Sequence, residues 1–186
     1  FPTRRSSDLV AVDAATGKAL APVDRIKAHT GEGILHQAFL TLLVEGQGEN
    51  MRLLLCRRSP LKRLWGGVLA DSCAGHPLPG EGVAAATARR INEELGIMRE
   101  PDELKHLGHV VYREDHGDGR CECEWCEVYL ARVKPGELHI NQEEISEVRR
   151  VALSELDGYL QGHPEQLAPW LREALSDPSI RTALAM

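Results

Sequence analysis

No apolar run in the 186 residues approaches the roughly 20 needed to cross a bilayer. The longest, Ala38 to Val44, is strand-sized and is interrupted by Thr41. A membrane span is therefore not expected, and no secretory signal is visible either. Positive charge is not in excess. A net charge of −6 argues against a general nucleic-acid binder. It leaves room for one small anion, because local charge decides that contact. The cysteines lack the even, spread pattern of a disulfide framework. There are five, and they read as reduced thiols of a cytoplasmic protein. Internal repeats and low-complexity segments are absent too.

What remains fits one globular domain with a full core, with 42% hydrophobic and 27% charged residues. Phe1 to Leu9 is polar and without period, and reads as a non-native or disordered leader to a single domain over 10–186. Strands are predicted at Val10–Val12, Gln37–Val44, Arg52–Cys56, His106–Tyr112, Cys121–Val133 and Glu147–Val151. Leu61 to Ala74, with Trp65-Gly66-Gly67, is loop-like with short extended pieces. Alanine-rich Glu81–Leu95 is the clearest helix, stopped by Gly96. Further helices are predicted at Ser154–Leu160 and Pro169–Leu175. This mixture, with no regular βαβ repeat, indicates an α/β or α+β sandwich.

The central helix carries the first chemical signal. Its acidic end, beside a loop rich in Gly and Pro, suits Mg²⁺ held against phosphate oxygens. Arg90 and Glu94 are four apart and share a face. A Glu-Glu pair alone would fit a solvated helix equally well. The spacing goes further. Gly75, Glu81, Arg89, Ile91, Glu93, Glu94, Gly96 and Ile97 fall in the pattern Gly-x5-Glu-x7-Arg-Glu-U-x-Glu-Glu-x-Gly-U, where U is a bulky aliphatic. The segment resembles the Nudix box, with Arg90 where most Nudix hydrolases carry Glu. That resemblance implies an α/β/α sandwich with a mixed β-sheet.

Other candidate ligands are scattered. His29 and His36 are seven apart, His76 lies in the Gly75-His76-Pro77 loop, and Glu122 and Glu124 share one face of a predicted strand. Three imidazoles and two carboxylates suit one Mn²⁺, Zn²⁺ or Mg²⁺ ion, but spacing alone does not join them. From about Arg25 to Trp170 the chain resembles the type I isopentenyl diphosphate isomerases, a Nudix-fold family. The resemblance implies that His29, His36, His76, Glu122 and Glu124 hold one metal, and that Glu94 helps hold Mg²⁺ on the substrate diphosphate. It gives Arg25, Arg58, Lys62 and Arg90 to diphosphate binding, a role that suits their charge and forked donors. Glu124 and Tyr112 become the catalytic acid pair. Trp170 becomes the aromatic residue over the hydrocarbon end, where a ring face can stabilise a passing carbocation.

The resemblance breaks at Ala74, where the family places a catalytic Cys. Cys73 stands one residue earlier and is the candidate replacement, although neighbours in an extended segment point to opposite sides. The expected function is isopentenyl diphosphate isomerase-like proton transfer on a short prenyl diphosphate. The alternatives are a diphosphate hydrolase, a protonation-initiated hydration or cyclisation enzyme, and a binding protein without turnover. The chain is expected to be a monomer or a homodimer. Cys123 and Cys126 form a CxxC with no second pair to complete a tetrahedral site, so Cys121, Cys123 and Cys126 are expected to be core thiols.

Overall fold

The computed structural model describes residues 8–162 and 164–185. Nine strands form one mixed sheet: β1 (Asp8–Val12), β2 (Ala19–Asp24), β3 (His36–Glu45), β4 (Arg52–Arg58), β5 (Leu69–Ala70), β6 (Cys73–Gly75), β7 (Lys105–Asp115), β8 (Cys121–Val133) and β9 (Ile145–Ala152). Five helices accompany it: α1 (Arg25–Ala28), α2 (Val83–Leu95), α3 (Leu156–Gly162), α4 (Pro169–Ser176) and α5 (Pro178–Leu184).

β3 organises the sheet. Along one edge it pairs in parallel with β8, from His36 opposite Glu124 to Glu45 opposite Val133. Along its other edge it meets β1 at His36, β6 at Phe39–Thr41 and β4 at Leu43–Glu45. Its buried run, Ala38 to Val44, explains why it reads as continuously apolar: both faces are covered. Alternation then sorts the core into two layers. Ala38, Leu40, Leu42 and Val44 pack with Val128, Trp170, Leu171 and Ile180, under α4 and α5. Phe39 and Leu43 pack with Cys73, Ile91, Leu95 and Tyr129, under α2. The expected sandwich with a mixed sheet is thus realised.

Helix α2 begins at Val83, two residues after the predicted start, because Glu81 is used elsewhere. Its carboxylate accepts bonds from the Leu78 amide and from the Arg89 guanidinium, tying the Gly–Pro loop to the helix. Gly96 ends the helix with φ +68, a conformation that costs glycine nothing.

The leader boundary needs correction. Asp8 and Leu9 belong to β1, paired with Asp24 and Val23, and Leu9 is fully buried. The polar stretch before them had masked an apolar strand start. The rest of the expected leader, residues 1–7, lies outside the described residues. No helix among the described residues is long and apolar enough to cross a membrane. All five cysteines are free.

Candidate active site

The parallel pairing of β3 with β8 sets His36 beside Glu124, and two-residue alternation puts Glu122 on the same face. Short helix α1 delivers His29, and the loop after β6 delivers His76. One ligand atom from each of these five residues lies within 4.8 Å of all the others. Spacing could not join them; the sheet does.

The donors are aimed. His29 Nδ1 donates to the Arg25 carbonyl and His36 Nδ1 to the Ile34 carbonyl, both at 2.8 Å. Each bond fixes the tautomer and turns Nε2 toward the cluster. His29 Nε2 then lies 3.0 Å from Glu122 Oε2, and His76 Nε2 lies 2.8 Å from Glu124 Oε1. The His36 and His76 Nε2 atoms are 3.2 Å apart. Three imidazole nitrogens and two carboxylates facing one another inside a protein make a poor arrangement without a cation and a fitting one with it. The group can hold a divalent metal.

Electrostatics agree with this geometry. Burial and the neighbouring Glu124 charge push Glu122 up to about 7. Burial acts on Glu124 in the same direction, but bonds from His36 and His76 outweigh it and hold this carboxyl well below the usual range. Burial pulls His76 down to about 4, so its ring is neutral and free to ligate. Tyr112, opposite Glu124 in the β7–β8 register, donates its O–H to Glu124 Oε2. Burial raises the phenol well above its usual pKa, so it stays protonated.

His29, His76, Glu122, Glu124 and Tyr112 line a cavity of about 840 Å³. Basic groups share that lining, among them Arg25, Arg58, Lys62, Arg90 and Arg120. Arg90 bonds Glu93 and Glu94, and Lys62 pairs with Glu144. Glu144 also reaches Arg90, at 3.4 Å. Only the fold brings it to Lys62 and Arg90, which are distant from it in sequence.

Trp170 also lines the cavity and is 4% exposed. Its indole N–H donates to Asp71 Oδ1 at 2.7 Å, and the Arg58 guanidinium sits over its ring at 5.2 Å. Asp71 also escaped sequence reasoning. The one available signal was an acid inside the apolar stretch Val68-Leu69-Ala70-Asp71. Burial pushes Asp71 up to about 6. A carboxyl raised above its unfolded value of 3.8 loses stability as pH climbs from about 4 through 6. Asp71→Asn is therefore expected to stabilise the fold at pH 7 by on the order of 1–3 kcal/mol and to do nothing at pH 4. Urea midpoints at the two pH values measure this, and a stability gain independent of pH would contradict it.

Cys73 does not line the cavity. It sits opposite Thr41 in the β3–β6 register, and its side chain lies in the layer under α2, 2% exposed. Ala74, one residue on, turns to the other face and lines the cavity. Strand alternation is the reason. Cys73→Ala should leave turnover within about twofold and cost about 1–2 kcal/mol of stability through lost packing. A tenfold loss of turnover in an otherwise folded variant would return Cys73 to the site. Cys121 is fully buried and Cys123 half-buried, but Cys126 shares the face of Glu122 and Glu124 and lines the cavity. It is therefore not only a core thiol.

A Nudix domain family model matches residues 34–176. The isopentenyl-diphosphate Delta-isomerase of Nocardia farcinica is 36% identical over 160 residues, covering 86% of this chain and 87% of that protein. The protein of the same name from Paenarthrobacter aurescens is 34% identical over 181 residues, covering 97% and 95%. Among solved structures, DR0079 from Deinococcus radiodurans superposes with a TM-score of 0.63 at 21% identity, over 83% of this chain and 89% of that one. A MutT protein from Methanosarcina mazei gives 0.58 at 22%, over 81% and 92%. The two solved structures speak for the fold alone.

Proposed function

This chain belongs to the Nudix domain family and, within it, to the isopentenyl-diphosphate Delta-isomerases, and on that footing we propose that its cavity binds a short prenyl diphosphate and moves a proton on its alkene. The observation that carries the reading is the pairing of Tyr112 with Glu124 at a five-ligand cluster, on a cavity whose lining also holds four basic residues of the expected set.

Arg25, Arg58, Lys62 and Arg90 bind and orient the diphosphate. Glu94, paired with Arg90 near the end of α2, would share Mg²⁺ carried by the substrate. His29, His36, His76, Glu122 and Glu124 would hold the second ion, with Mn²⁺, Zn²⁺ and Mg²⁺ all compatible with three nitrogens and two oxygens. A cation bound there would offset the two buried carboxylates and fix Glu124 beside Tyr112. The Tyr112–Glu124 pair supplies the proton to the alkene. Trp170 faces the positive charge that then develops on the hydrocarbon.

The Ala74 methyl cannot accept the proton that must leave the neighbouring carbon, so in isomerisation that proton passes to water or to an oxygen of the substrate's own diphosphate. Ala74 also favours a second outcome at this step, in which water or a second alkene captures the cation and gives a hydrated or cyclised product. Hydrolysis fits less well, because Arg90 occupies Glu93 and Glu94 at the helix end.

Incubation with isopentenyl or dimethylallyl diphosphate and divalent metal in D₂O separates these readings. Deuterium in the allylic isomer is expected. Release of phosphate or pyrophosphate with neither isomer labelled would contradict isomerisation, and so would labelled alcohol as the main product.

A further inference from the structure

Asp71 is not part of the metal cluster or of the main cavity's lining; it lies in a small pocket behind them that Arg58, Lys62 and Glu94 also line. It follows β5 on the chain, is 2% exposed, and directs Oδ1 at the indole N–H of Trp170. Its other oxygen, Oδ2, has no hydrogen-bond partner among the described residues. Burying a carboxylate this deeply is costly, and a neutral side chain would accept the same indole bond. Arg58 is the counterpart. Its guanidinium lies against the Trp170 ring, and its Nε is buried and unpartnered. Trp65 closes the group edge-on, 5.6 Å from Trp170. Trp170 thus sits between an anion at its N–H and a cation at its ring.

Resting on the reading above, we propose that Asp71 is a positioning residue whose negative charge, passed to Trp170 through the indole N–H, makes the Trp170 side of the cavity favour a cationic hydrocarbon over a neutral one. The physical argument is a balance of charge. Arg58 is needed for the diphosphate, yet a guanidinium against the indole weakens the attraction of that ring for a second cation. An anion on the N–H side offsets this and enriches the ring in electron density. The hydrogen bond also fixes which way the ring faces. Such selectivity acts on the charged state formed after protonation, so it assists turnover more than ground-state binding.

Two probes test this. One is a short alkyl diphosphate bearing a tertiary ammonium where the alkene would stand; the other is its neutral branched-alkyl isostere. Calorimetry on metal-loaded protein gives the ratio of their affinities. The ammonium ester is expected to bind more tightly to the unaltered protein, and Asp71→Asn to lower that ratio about tenfold. Asn keeps an acceptor for the indole N–H, so a purely structural role would be rescued and the ratio unchanged, which would overturn the proposal. In the Trp170→Phe background, Asp71→Asn is expected to change the ratio by less than twofold, because the link is gone. An undiminished effect there would also overturn it. If the unaltered protein binds neither ester, the prenyl diphosphate reading falls and Asp71 with it. If it binds both and only the Asp71 effect is missing, that reading stands alone.

Discussion

Glu124→Gln is expected to lower isomerase turnover by about 10³-fold or more, with the fold intact. Two losses combine at this one carboxylate. Glu124 receives the Tyr112 hydroxyl on Oε2 and His76 on Oε1, so it belongs to both the proton-donating pair and the metal centre. Loss of general acid–base function is worth about 10²–10⁴-fold. A damaged metal shell adds to that. Gln has nearly the same shape, and it replaces a fully buried charge, so stability should be kept or improved. Single-turnover deuterium incorporation at saturating metal, beside a thermal melt, is the measurement. Turnover within tenfold of the unaltered enzyme would remove Glu124 from the reaction. Tyr112→Phe is the smaller companion, since it deletes the hydroxyl and leaves the carboxylate.

Ala74→Cys should act in the opposite direction, raising allylic isomer formation by about 10–100-fold. Ala74 is half-buried, packs beside Leu40 of β3 and lines the cavity. A thiol there would enter the substrate space without displacing the layer under α2, where Cys73 already lies. It would restore a group able to take the leaving proton, so product should shift from captured cation toward isomer. The rate and the product ratio must move together. An unchanged rate with unchanged products would mean that another group in the cavity already does this work and that position 74 is no gap.

Much of this was legible in the sequence, for identifiable reasons. The box from Gly75 to Ile97 fixes residue types by helix geometry and turn chemistry, and both are local. The paired glutamates on β8 were readable because a strand has period two. The grouping of the three histidines was not readable from spacing, since it depends on strand pairing far from each residue. Only the family resemblance anticipated it. The side reached by Cys73 was readable in principle from alternation, and β6 follows that rule. Asp71 and Glu144 were missed because each gains its meaning from a partner distant in sequence, Trp170 and Arg90. The strand start at Leu9 was hidden by its polar neighbours.

The parallel β3–β8 pairing has a kinetic meaning as well. His36 meets Glu124 only when two strands far apart in the chain have zipped together, and parallel non-local pairing is among the slowest events in folding. His29 and His36, by contrast, are close neighbours in the chain and can find a metal ion before the sheet exists. A centre with all five ligands therefore needs the β3–β8 pairing in place, and cation binding by the full set would report that this part of the sheet has formed.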